Sequence, residues 1–252
     1  MTGASSGIGA EFTQRLLDRG YRVLAVARRA DRLVALEEST GGRVIAEPCD
    51  LTVDGATDAV AKRAEELGGA DLLVCNAGRG LHGRFVDTER CDTLAMLQLN
   101  VLSSVDLAAR IVPTMVRRGS GGVIVVASTL GFVSVPNLAA YGASKAFLLS
   151  FAEALSTELK GTGVRAMALC PGPTISEFSE VAGLDGQVEK TPRTHHHRRG
   201  GERSSAGVGC RARDNCARHD HPADDRGPGL RSPLGRTDGD GARVPLTAVC
   251  PP

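Results

Sequence analysis

The chain has 252 residues, 42% of them apolar and 23% charged, with a formal net charge of +1. That size fits one ordinary domain, or one domain and a tail, and excludes collagen-like, coiled-coil and wholly disordered chains. No apolar run approaches the eighteen or so residues of a bilayer span, and Met1 leads into Thr2, Gly3 and Ala4 without a basic and apolar leader. Seven scattered cysteines, an odd number without a C-x-x-C pair, argue against a disulfide framework, so a cytoplasmic protein with reduced thiols is expected.

Taken in chain order, apolar residues at helical spacing (Ile8, Phe12, Leu16, Leu17) predict a helix over 8–19, ended by Gly20, and a strand over 21–27. A helix over 31–38, a short strand over 43–46, a helix over 53–67 closed by Gly68 and Gly69, and a buried strand over 71–75 follow. A long helical stretch, 88–118, is expected to break near Asn100; beyond it lie a strand over 123–127, a helix over 139–160 and a strand over 164–170. This alternation, with nearly continuous apolar strands, implies an α/β fold with a parallel sheet covered on both faces, the doubly wound Rossmann-type architecture.

Thr2-Gly3-Ala4-Ser5-Ser6-Gly7-Ile8-Gly9 opens the first helix. Its glycines let the backbone approach a pyrophosphate, and the free N–H groups of a helix start favour the anion. A Rossmann-type unit needs an apolar strand before such a turn, and only Met1 precedes Thr2. The first strand is therefore missing from the sequence as written, and a start codon upstream of Met1 is the expectation; made as written, the chain should bind cofactor weakly and be poorly soluble. Arg28 and Arg29 follow the second strand, where an NAD-preferring site places an acid, so a ribose 2′-phosphate and hence NADP is expected.

Tyr141 and Lys145 lie four residues apart near the start of a helix, on one face. A lysine cation beside a phenol stabilises phenolate and is expected to lower the phenol's pKa, which suits general acid/base chemistry on a carbonyl or alcohol. Ser128 follows an apolar strand, so its hydroxyl emerges at the carboxyl edge of the sheet, where doubly wound folds bind ligands. The helix from 139 is apolar around most of its circumference, and a homodimer or homotetramer would cover it.

With these motifs in order (T-G-A-S-S-G-I-G, C-D-L-T, N-A-G, L-N-V, Ser128, Y-G-A-S-K and P-G-P-T), residues 2 to about 178 resemble the short-chain dehydrogenase/reductase family. The resemblance implies hydride transfer between a nicotinamide and a small carbonyl or alcohol compound, without a metal. It makes Tyr141 the proton donor or acceptor and Lys145 the residue that tunes it and holds the nicotinamide ribose. Ser128 orients the substrate oxygen, and Asn100 holds a water of the proton relay. Cofactor contacts are implied for Gly3, Ser5, Ser6, Gly7, Ile8 and Gly9, for Asp50 and Leu51 facing adenine, and for Asn76, Ala77 and Gly78 on the adenine-ribose side. Pro171, Gly172 and Thr174 are implied near the carboxamide.

The domain is expected to end near residue 190, with Phe178, Val181 and Leu184 forming a short lid. Residues 191–252 hold six Val or Leu and no Ile, Met, Phe, Tyr or Trp, against eleven Arg, nine Gly and seven Pro, and such a segment cannot bury a core of its own. An out-of-frame reading of a GC-rich gene would produce this composition. Its His and Cys match no structural zinc spacing, and its Arg are interrupted by acids without aromatics for stacking, so neither metal nor nucleic-acid binding is expected. The alternative function is a truncated, inactive relative that keeps at most weak dinucleotide or partner binding.

Overall fold

The computed structural model describes residues 1–172. In chain order it forms α1 (Gly7–Asp18), β1 (Val23–Ala27), α2 (Ala30–Ser39), β2 (Val44–Pro48), α3 (Ala56–Glu66), β3 (Leu72–Cys75), α4 (Arg90–Leu97), α5 (Ser103–Arg118), β4 (Gly121–Val126), α6 (Ala139–Glu158) and β5 (Val164–Leu169). Thr174, the lid residues Phe178, Val181 and Leu184, and the whole tail after residue 190 lie outside the described residues.

Among the described residues all strand pairs are parallel, and they form two sheets, β2-β1 and β3-β4-β5. Among the described residues, Met1 and Thr2 lie between β1 and β3. Thr2 bridges Val26 in parallel. The Val26 N–H donates to Met1 O (2.9 Å) and the Thr2 N–H to Val74 O (3.0 Å), so two residues seam the halves into the order β2-β1-(1–2)-β3-β4-β5. The position of the expected central strand is thus held by a two-residue stub. The Met1 ammonium donates to Leu24 O at 2.9 Å, and burial pulls its pKa down to about 6.

Apolar periodicity explains the layers. Leu16 and Leu17 of α1 and Leu33 of α2 bury against Val23, Ala25 and Val44. A larger core joins Val123 and Val125 of β4 to Leu107, Ile111 and Met115 of α5 and to Leu148 and Ala152 of α6. This is the doubly wound Rossmann-type fold that the alternation predicts. The run Arg90–Arg118 is long and apolar enough to pass for a bilayer span, contrary to the sequence expectation. Half of that window is buried inside the protein, and packing on the sheet accounts for its composition.

Two boundaries differ instructively. The third helix begins at Ala56 rather than near Val53, because Asp50 Oδ1 accepts the Thr52 N–H (2.9 Å) and hydroxyl (2.7 Å) in a turn, and Gly55 at φ +79° is the residue that enters the helix. The expected break near Asn100 is no break. Gln98–Leu102 form a π-turn between α4 and α5, and the helix runs on through it.

Candidate active site

The parallel strands deliver their carboxyl ends to one edge, and the residues singled out in the sequence follow those ends: Arg28 after β1, Asp50 after β2, Asn76 after β3, Ser128 after β4 and Pro171 after β5. The glycine turn follows the stub between the two halves. In a doubly wound sheet this reversal of strand order is where a ligand crevice opens.

The turn itself is built by close approach. Gly3 (φ +67°) and Gly7 (φ +52°) take left-handed conformations. A Cβ at Gly9 would lie 1.9 Å from Gly3 O, and one at Gly3 2.6 Å from Asn76 Nδ2. The Ser6 side chain at the N-cap of α1 makes no capping hydrogen bond among the described residues, and the first turn of the helix holds no acid. The positive end of the helix, including the N–H groups of Gly7 and Ile8, is left for an anion. Beside it, Arg29 Nε donates to Ser5 Oγ (3.3 Å) and Arg32 Nη1 to Ser5 O (3.4 Å), while Arg28 is exposed. These residues fit a dinucleotide phosphate. Arg32, one turn beyond Arg28 on α2, was not among the residues expected from the sequence, although its spacing from Arg29 could have marked it.

Asn76 is tied to the glycine turn. Its Nδ2 donates to Thr2 O (3.0 Å) and Gly3 O (3.3 Å), and Thr2 Oγ1 accepts the N–H groups of Asn76 (2.9 Å) and Ala77 (3.0 Å). The side chain stitches the end of β3 to the glycine turn, and Thr2, also not expected as a site residue, is the other half of the stitch. Gly78 follows closely: a Cβ there would meet Asn100 Oδ1 at 3.0 Å and Lys145 Nζ at 3.7 Å. Asp50 caps its own turn at Thr52 rather than the next helix, and its carboxyl lies below the ordinary value. Desolvation works to raise it, and the two Thr52 hydrogen bonds and the charge of Arg28 outweigh that. Leu51 is buried in the core beneath that turn.

Asn100 is fully buried in the π-turn. Its Oδ1 accepts the Arg79 N–H (2.9 Å), and its Nδ2 donates to Arg79 O (3.0 Å) and to Ser144 Oγ (3.4 Å) on α6. The widened turn is sealed by Ser103 and Ser104, whose hydroxyls donate to the carbonyls of Leu99 and Asn100. The amide therefore couples the loop after β3 to the helix that carries Tyr141.

Tyr141, Ser144, Lys145, Leu148 and Ala152 form the buried face of α6. Tyr141 packs against Met96 and Leu138 and is hydrogen-bonded to the Ser128 side chain. Ser128 is extended and its Oγ accepts the Leu130 N–H at 3.2 Å, which fixes the first turn of the loop. Lys145 Nζ lies 5.9 Å from the Tyr141 ring centroid and donates to Val126 O at 2.9 Å. The sequence expectation of a phenol made acidic by lysine is overturned in this state: burial pushes Tyr141 up to about 12, with the Ser128 hydrogen bond opposing it. Lys145 aims its proton at a carbonyl instead, and burial brings it down to about 8, against a raising contribution from Cys170. Pro171 O accepts the Thr129 N–H (3.0 Å), joining the end of β5 to the Ser128 turn.

The sequence profile of the family described as short chain dehydrogenase matches residues 1–185. The chain belongs to the short-chain dehydrogenase family. Among relatives of this short-chain dehydrogenase, an uncharacterized oxidoreductase of Myxococcus xanthus is 39% identical over 186 residues, 71% of the chain and 72% of the relative. Ketoacyl reductase HetN of Nostoc is 32% identical over 176 residues, 68% of the chain and 61% of the relative. A solved short-chain dehydrogenase from Sphingobium yanoikuyae in complex with NADPH superposes with a TM-score of 0.72 at 34% identity, covering 77% of each chain. The chain thus spans about three-fifths to three-quarters of the length of these relatives.

Proposed function

We propose that this short-chain dehydrogenase is an NADP(H)-dependent oxidoreductase that reduces a small carbonyl compound, with Tyr141 as proton donor. The observation that carries the reading is the pairing of the buried Tyr141 side chain with the half-buried Ser128 side chain at the carboxyl edge of β4, one helical turn from Lys145. When bound, the nicotinamide supplies or accepts the hydride. Every other part of the step falls to the protein. Ser128 holds the substrate oxygen, and Tyr141, whose raised pKa keeps it protonated near neutral pH, gives its proton to that oxygen as charge develops there. Lys145 would hold the nicotinamide ribose of the cofactor, the turn 76–78 would line the adenine-ribose side, and the α1 N-terminus would hold the pyrophosphate. Arg29 and Arg32, with Arg28, favour a 2′-phosphate and so NADP, in keeping with the NADPH complex of the Sphingobium relative. Asn100 positions the loop after β3 against α6 and would supply the water contact of a proton relay.

Phe147 is half-exposed and stacked on Phe151, with centroids 6.3 Å apart, which favours a second copy of the chain packing on α6. A cytoplasmic homodimer or homotetramer without nucleic-acid or membrane partners completes the reading. The test is oxidation of NADPH, beside NADH, with a panel of ketones and aldehydes. Tyr141→Phe should keep NADPH binding and lose about 10²–10⁴-fold in kcat. A parent-like rate in that variant overturns the assignment. NADPH binding without turnover in the parent chain favours the inactive relative instead.

A further inference from the structure

The loops flanking Tyr141 carry more apolar surface than the chemistry at its hydroxyl requires. Residues 128–138 contain no charged side chain, and Phe132, Val133 and Val135 there are 63%, 57% and 37% exposed. Across from them, on the loop between β3 and α4, Phe85 and Val86 are 65% and 75% exposed. The Gly83 N–H donates to Asn137 O at 2.8 Å and ties the loops together. Asn137 holds φ +65°, the one positive φ at a non-glycine among the described residues, a cost found where geometry serves a site. Leu81 and Leu130, one from each loop, pack on the cluster around Tyr141, so both loops that carry the exposed apolar residues reach the surroundings of the phenol.

Charge points the same way. Anion recognition requires an available cation or donor array. On the loop after β3, Arg79 Nη2 bonds Asp92 Oδ1 (3.0 Å) and its carbonyl (2.6 Å), its Nε is buried away from solvent without a hydrogen-bond partner among the described residues, and Arg84 pairs with Asp87 (3.6 Å). His82 and Glu89 are the other titratable groups of that loop, and residues 128–138 supply none.

Resting on the reductase reading above, we infer that the carbonyl taken at Tyr141 belongs to a neutral substrate with a bulky apolar group, an aryl or medium-chain alkyl ketone or aldehyde. That group lies along Leu130, Phe132, Val133 and Val135 toward Phe85.

The experiment uses the full chain with NADPH and two probe sets: the 2-alkanones from butanone to nonanone, and 4-oxopentanoate beside its ethyl ester. Burying each added methylene should raise kcat/KM about threefold along the series, and the ester should exceed the acid by at least about tenfold. Phe132→Ser should flatten the chain-length slope. Calorimetric Kd values for the same ketones on the NADP+-loaded chain read the surface without turnover. A slope in Kd with no turnover retains the apolar surface and removes the reductase reading, and turnover with neither a slope nor an ester preference does the reverse. The inference is also overturned if Phe132→Ser leaves the slope intact while lowering Tm or dissociating an oligomer, because the patch is then covered by this chain's own residues or by a second copy.

Discussion

At the scale of single residues, burial competes with charge at the α6 face. Tyr141 and Lys145 are both about 5% exposed, and desolvation drives each toward its neutral form, the phenol up and the amine down. For Lys145 the linkage has a definite sign. Its folded pKa of about 8 lies below the ordinary 10.5, so between those values the unfolded chain holds a proton that the folded chain has lost. Stability should therefore rise across pH 8 to 10.5, by on the order of 3 kcal/mol if the whole shift is expressed. Urea titrations at both ends of that window should show the rise in the parent and its loss in Lys145→Met; an unchanged difference in the variant assigns the rise to other groups. Gly9 is the other decisive position. Gly9→Ala forces its methyl against the Gly3 carbonyl, a backbone atom that cannot swing aside. Overpacking of roughly 1–3 kcal/mol and at least a tenfold loss of NADPH affinity are expected, read by melting and by fluorescence titration.

Among the elements, the helix across Asn100 teaches most. The i, i+3, i+4 pattern of Met96, Asn100, Ser103, Ser104 and Leu107 continues through the π-turn, so periodicity alone registers only a polar residue in an apolar stripe and suggests a break. What the polar residue does is visible only once the loop at Arg79 and Ser144 of α6 are brought to it from 21 residues upstream and 44 downstream. Asn100→Ala leaves the Arg79 N–H and C=O without their partner. A loss of about 1–3 kcal/mol per stranded group follows, together with a rise in KM for NADPH as the turn at Gly78 loosens. Urea unfolding and steady-state kinetics check both. Strand positions after β1 to β5, and with them the edge that gathers the site, were legible because apolar runs between glycine-rich turns leave little choice of element. The start of α3 was not, since the Asp50 turn and the left-handed Gly55 interrupt the chain before an otherwise helical pattern. Nor was the phenol's raised pKa, which comes from Met96 and Leu138, residues far from Tyr141 in chemistry though close in space.

Across the whole molecule, the parallel doubly wound architecture was readable from the alternation of strands and helices, whereas the order of the strands is seen only in the structure. The structure also adds how the two-residue stub works. The polar groups of the α1 turn and of Arg29 and Arg32 belong to the half with β1 and β2, whereas Asn76, Ser128, Tyr141 and Lys145 belong to the half with β3 to β5. A dinucleotide lying across the edge would touch both.

Two residues make a narrow weld. Amide deuteration followed by mass spectrometry should find the β1–β2 peptides opening at lower free energy than those of β3–β5, with NADPH slowing the weaker set far more than the stronger. Uniform protection in the free protein would mean that the helices, rather than the seam, hold the halves in step. If the disparity is found, the cofactor acts in this chain as a clasp as well as a reagent, and the holo form outlives the empty one under heat and protease.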